Sequence, residues 1–239
     1  MTRTMPRNLI LTGGHTHSFP IAAPALARLL AEHGIESMID DDIEGALAEM
    51  EARQPELLTV YALRWSMRDN EKHAPYRASW AFSLSHRGRD AIESHLVRGG
   101  GLLALHTAII CFDDWAAWKD ILGGAWVWGR SSHPPCGPVE VEPADHAHPL
   151  VRDVQGFTLD DEVYGNLKFA PDVVPLLRAR AQGGDWHPVL WTHHAGRGRV
   201  VVDALGHDAK AFEHPEHRRI VARAALWTLR RADAEITGI

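Results

Sequence analysis

The sequence predicts an α/β protein built on a mainly parallel, doubly wound sheet with antiparallel additions. Three observations predict it. Strand and helix patterns alternate with short connections through the first half of the chain. The strands of that half are apolar on both faces, as in a sheet covered by helices on either side. After residue 139 the pattern changes to short strands separated by turns. With 239 residues, 45% of them apolar, the chain can bury a full core, and residues 1–239 read as a single domain.

The elements follow in order. Residues 8–12 are an apolar strand stopped by Gly13 and Gly14, and 21–33 carry helical spacing through Leu26, Leu29 and Leu30 up to Gly34. A strand is expected at 35–39, a helix at 43–53, and a strand at 57–63, a continuous apolar run. The polar and aromatic interval 64–85 reads as a long irregular connection, the kind of loop that often carries function. A helix over 88–98 closes at Gly99 and Gly100, a strand follows at 101–106, and a helix at 113–122. Strands are then expected at 139–142, 157–159, 173–180, 189–192 and 200–205, the last two joined as a hairpin through Gly196-Arg197-Gly198, before an amphipathic helix at 215–231.

The strand at 101–106 ends on an informative frame. Ala104-x-His106-x-Ala108 has the small residues of a nucleophile elbow, a tight strand-to-helix turn usually written Gly-x-Ser-x-Gly, with histidine at the apex. Such a turn would expose the imidazole at the carboxyl edge of the sheet, where open α/β folds bind ligands. A histidine capping the next helix is the alternative. Two more polar clusters stand at strand ends: Gly13-Gly14-His15-Thr16-His17 and Gly206-His207-Asp208, in which Asp208 is equally compatible with a helix N-cap. The first lacks the spacing of a dinucleotide fingerprint or a P-loop. In the acidic segment Asp160-Asp161-Glu162, Glu162 precedes an apolar residue and Tyr164, which could turn one carboxylate inward as base or ligand. His133, ahead of two prolines, is an open candidate, whereas His33, His86, His95, His214 and His217 read as surface residues.

Composition excludes several classes. The net charge of −6 with scattered arginines argues against a nucleic-acid partner. No apolar run approaches the roughly 20 residues that span a bilayer, and residues 1–6 carry no leader pattern. Cys111 and Cys136 fit no metal or disulfide framework, which points to a cytoplasmic setting. Amidotransfer needs a thiolate at the apex, and Cys111, five residues beyond His106, would be turned away from it.

These motifs together resemble the ThuA-like (trehalose utilisation) family, within the class I glutamine amidotransferase-like superfamily. The resemblance rests on Gly13-Gly14-His15-Thr16-His17, on Gly99-Gly100-Gly101 through His106-Thr107-Ala108, and on Leu122-Gly123-Gly124. It continues through His148-Pro149-Leu150, Asp161-Glu162-Val163-Tyr164, and Gly196-Arg197-Gly198 through Leu205-Gly206-His207-Asp208. Gly165 and Val201-Val202 depart from residues frequent in the family, which bears on substrate more than fold. The resemblance implies a flavodoxin-like three-layer α/β/α fold and a role in using trehalose or related disaccharides and keto-sugars, without the amidotransferase cysteine.

Two functions are compatible with this. The first is acid/base chemistry on a sugar, with His106, Glu162 and His207 catalytic and His15, His17, Trp65, Tyr164, Trp191 and Asp208 binding substrate. Here a divalent metal such as zinc, held by several histidines, is an alternative source of charge stabilisation. The second is a non-catalytic sugar-binding or regulatory protein on the same scaffold. The expected partner is a small-molecule sugar, and a homo-oligomer formed through exposed tryptophans fits either reading.

Overall fold

A computed structural model describes residues 5–144 and 147–239. Residues 1–4, part of the segment read for a leader, lie outside it. Eleven strands are present: β1 (Arg7–Gly14), β2 (Glu36–Asp40), β3 (Leu57–Leu63), β4 (Gly101–Leu105), β5 (Gly124–Ala125), β6 (Gly137–Pro143), β7 (Phe157–Asp161), β8 (Lys168–Phe169), β9 (Pro175–Ala181), β10 (His187–Ala195) and β11 (Gly198–Asp203). Nine form one sheet in the order β2-β1-β3-β4-β11-β10-β9-β6-β7, and β5 pairs with β8 separately. From β2 to β11 neighbouring strands run parallel, and from β11 to β7 they run antiparallel.

Burial follows from that division. β3 and β4 are buried at every position, because helices cover both faces of the parallel half. β6 and β7 alternate buried and exposed residues, as strands with one wet face do. The helices are α1 (Phe19–Glu32), α2 (Ile43–Ala48), α3 (Met50–Arg53), α4 (Arg77–Trp80), α5 (His86–Val97), α6 (Ala116–Leu122), α7 (Pro215–Thr228) and α8 (Asp233–Thr237). α1 and α7 pack together on one side of the sheet, while α2, α5 and α6 cover the other, giving the three-layer α/β/α arrangement. Local chemistry sets the helix ends. Pro20 occupies the first turn of α1, where its missing N–H costs nothing, and Ser85 caps α5 by accepting the Gly88 N–H.

The structure corrects several expectations. Residues 64–85 contain a 3-10 turn (Glu71–Tyr76) and α4, so the connection is partly ordered by its own hydrogen bonds. α6 begins three residues later than the apolar spacing suggests, because Asp113 is engaged by Ser66 and Trp128. His95 and His217 are buried, each with a ring nitrogen on a backbone carbonyl. Five of the nine tryptophans are buried, and Trp80, Trp126, Trp128 and Trp186 are half-buried, so none is as exposed as expected. No helix of the described residues is long and apolar enough to cross a membrane.

Candidate functional site

At the carboxyl edge of the parallel strands, four segments converge. β1 runs out through Gly13 and Gly14, both at positive φ, into the loop carrying His15 and His17. β4 ends at Leu105 and is followed by His106, whose φ of +49° lies in the left-handed region that histidine seldom adopts. Ala104 and Ala108 on either side are fully buried, so the tight turn expected from the small-x-His-x-small frame is present. Such strain persists only where the surroundings over-determine it, and it concentrates at functional sites. β7 ends at Asp161 and delivers Glu162 and Tyr164, while β11 leads through the Gly206 turn to His207.

His106 is buried and not exposed, a correction to its expected position, because Tyr164 and His17 cover it. The Tyr164 ring stacks on it with centroids 4.9 Å apart, and the phenol donates to Nε2 at 2.9 Å. His106 Nδ1 lies 3.1 Å from the Ala204 carbonyl, which can only accept, so Nδ1 carries the proton and Nε2 presents a lone pair. His17 Nε2 faces that lone pair at 3.2 Å. Glu162 lies 3.5 Å from His106 Nε2, and its other oxygen is 3.5 Å from Nδ1 of both His207 and His133. Ligand atoms of His17, His106, Glu162 and His207 all lie within 4.8 Å of one another.

One buried carboxylate organises this cluster. Asp161 accepts the N–H groups of Gly206 at 2.8 Å, His207 at 3.2 Å and Glu162 at 2.8 Å, and sits 4.0 Å from His106 Nδ1. It thereby ties the end of β7 to the turn after β11 and sets both side chains that follow. In the acidic segment, sequence reading singled out Glu162 and not Asp161. The signal it missed is alternation: in β7, Phe157, Leu159 and Asp161 share the inward phase, and Leu159 and Asp161 are buried.

The electrostatics follow from crowding. Burial, reinforced by His106 and His207, lowers the His17 imidazole to about 4. Burial alone would raise the Glu162 carboxyl, but its contacts with His106 and His207 prevail and hold it well below the usual carboxylate range. Glu162 in turn raises His207. Burial raises the Tyr164 phenol well above its ordinary value, so it remains a proton donor. Cys111 is also buried and pushed up to about 12 by desolvation, with its thiol on the Ala62 carbonyl. It cannot serve as a thiolate nucleophile.

Other residues expected at the site are placed differently. Trp191 is fully buried in the interior strand β10 and donates its indole N–H to the Leu122 carbonyl, so it has no face for a ligand. Trp65 is 4% exposed, packs on Trp128 and donates to Asp69. Tyr164 uses its ring on His106, leaving the hydroxyl as its contribution to the cluster. Asp208 takes the capping alternative, accepting the Lys210 N–H at the start of a 3-10 turn (Ala209–Phe212). His15 lies apart from the cluster, against Tyr76 and Trp80. His133, left open by sequence, reaches Glu162.

Comparisons with known proteins place this architecture. A solved structure from Parabacteroides merdae, described as ThuA-like, superposes with a TM-score of 0.71 at 16% identity, covering 94% of this chain and 90% of its own. A second ThuA-like structure, from Bacteroides uniformis, gives 0.67 at 17% identity, covering 96% and 93%. The fold also recurs within a beta-galactosidase from Bacillus circulans, with a TM-score of 0.53 at 11% identity over 99% of this chain and 32% of that enzyme. At these identities the likeness concerns the fold. No curated protein sequence matches the chain. The family model described as ThuA, trehalose utilisation, matches residues 7–228, nearly the whole chain. The chain therefore belongs to the ThuA (trehalose utilisation) family.

Proposed function

We propose that this protein is an enzyme of carbohydrate utilisation that moves a proton on a sugar or keto-sugar, and that its histidine cluster holds a divalent cation such as zinc. The observation that carries the reading is the convergence of four ligand atoms within 4.8 Å on the strand edges. Two or three imidazoles with one carboxylate form a donor set suited to zinc. His106 supports it further, since its Nδ1–H is taken by a backbone carbonyl and its Nε2 lone pair faces the cluster, the usual outer arrangement of a metal-bound histidine. His17, His106 and Glu162 would hold the ion. When bound, it would supply Lewis-acid polarisation of a sugar carbonyl or hydroxyl.

The chain's own groups supply the proton chemistry. Glu162 lies 3.5 Å from His207 Nδ1, where it orients the neutral ring with its Nδ1–H toward the carboxylate and stabilises the imidazolium that forms when Nε2 takes a proton. His207, partly exposed, is the group that takes a proton next to a carbonyl and returns it from its Nε2 edge. Tyr164, buried and protonated, lies 2.9 Å from His106 Nε2, and with an ion on that nitrogen its hydroxyl would be free to donate to negative charge developing beside it. Amidotransfer is not supported, because the apex residue is His106 and Cys111 is buried.

Elemental analysis of purified protein, with and without chelator, tests the cation, and stoichiometric zinc or another divalent ion is expected. Its absence, with sugar conversion unaffected by chelator, would sink that part. Trehalose and its keto derivative incubated in deuterated buffer should exchange a carbon-bound proton by NMR, and His207→Ala should abolish the exchange. Sugar binding that shifts the melting temperature without any conversion would instead favour a non-catalytic binder.

A further inference from the structure

Among the described residues five arginines have an Nε that is sealed from solvent and unpaired, and four of them still bring another nitrogen to a carboxylate or carbonyl. Arg89 approaches Asp114, Arg180 and Arg219 pair with Glu140 and Glu216, and Arg223 donates to the Arg152 carbonyl. Arg64 is the exception. Among the described residues its guanidinium donates no hydrogen bond and has no carboxylate within 4.0 Å. Exposed Asp41 borders the same space through its Cβ but does not pair with it.

The position of this cation is defined by packing. Arg64 immediately follows β3, the strand between β1 and β4, whose ends carry His17 and His106. Its guanidinium lies over the Trp80 ring, 5.5 Å from the centroid, and the same indole packs against His15 at 5.5 Å. Its Nη2 lies 3.4 Å from where a Cβ on Gly13 would stand, ordinary van der Waals distance, which places the cation against the β1 turn. A planar fork of donors held by an aromatic face, with no acceptor from the described residues and the His15 imidazole on the same indole, is suited to a carboxylate or phosphate.

We propose that Arg64, with His15 and Trp80, forms a subsite for an oxyanion, so that a sugar bearing a carboxylate or phosphate binds more tightly than its neutral counterpart. The sugar half of this statement rests on the function proposed above, and the oxyanion half does not.

Titration calorimetry of the full chain with glucose, gluconate, glucose phosphorylated on its primary hydroxyl, and inorganic phosphate tests it. The wild-type protein should bind at least one of the two anionic sugars about ten- to a hundredfold more tightly than glucose, the range of a charge-assisted contact. Which one binds better distinguishes carboxylate from phosphate. Arg64→Gln should erase that preference and leave glucose affinity unchanged, and Arg64→Lys should keep part of it. Circular dichroism should show both variants folded, since the side chain is partly exposed and makes no hydrogen bond. If only inorganic phosphate binds, in an Arg64-dependent way, the oxyanion subsite stands and the sugar reading fails. Equal affinity for charged and neutral sugars, an anion preference that survives Arg64→Gln, or no binding by any of the four probes would overturn the proposal.

Discussion

Two histidines among the described residues are fully buried near the same sheet edge and begin from the same design. His106 and His217 each place Nδ1 on a backbone carbonyl, that of Ala204 and that of Ala211 respectively. They differ in what Nε2 meets. In His217 it meets the buried Asp203 carboxylate at 3.0 Å, and the pair is closed. In His106 it meets the Tyr164 hydroxyl, a second imidazole and, slightly farther off, Glu162, so several groups crowd one nitrogen. A closed pair holds structure together, whereas a crowd around one nitrogen is what the proposed cation would organise. The backbone agrees: His106 sits at positive φ, and His217 lies inside the regular helix α7.

The sharpest break of this comparison is on stability. His217→Ala leaves the Asp203 charge buried without a counter-ion, and should cost about 3–5 kcal/mol in chemical denaturation. His106→Ala removes a hydrogen-bonded ring whose neighbours can rearrange, and should cost about 1–3 kcal/mol. On the proposed sugar chemistry the order should reverse, with His106→Ala lowering conversion by about a hundredfold or more and abolishing bound metal. A folded His217→Gln variant should keep both. Equal losses of metal in the two variants would erase the distinction.

The pH dependence separates the two histidines next. Burial disfavours the charged His217, but the Asp203 carboxylate outweighs it and raises the imidazole to about 9 from 6.5. A group raised on folding contributes stability that is complete below pH 6.5 and is lost as pH rises through about 9. Denaturation midpoints should therefore fall across that window in the wild-type protein, and Asp203→Asn should remove most of the fall. The smallest effect concerns the turn. Asparagine tolerates the left-handed region better than alanine, so His106→Asn should be more stable than His106→Ala by roughly 0.5–1 kcal/mol. Equal melting temperatures would indicate that the turn relaxes when the ring is removed.

Asp161 teaches a related lesson about reading sequence. Its carboxylate organises Glu162, His207 and the turn at Gly206, yet as one of three consecutive acids it looks like solvent-facing charge. Strand alternation from Phe157 was the available clue, but it depends on where β7 ends, and element ends are the least legible part of a sequence. The His106 turn was legible because a tight backbone demands small residues at fixed offsets, and Ala104 and Ala108 supply them. Trp191 and Trp65 were misjudged for the opposite reason. An aromatic residue carries no local mark of which neighbour will cover its ring.

What the sequence determined by itself was set by local rules: apolar runs on two faces for the parallel strands, alternation for the antiparallel ones, glycines and small residues at turns, and histidines at strand ends. Those rules act over a few residues, so they are written where they operate. Tertiary structure decided which of those histidines meet. His17, His106 and His207 are separated by about ninety residues or more along the chain, and only the strand order, with β3 between β1 and β4 and β11 beside β4, brings their rings onto one edge. Contact between distant segments is fixed by how the sheet is threaded and packed, and no local pattern encodes that.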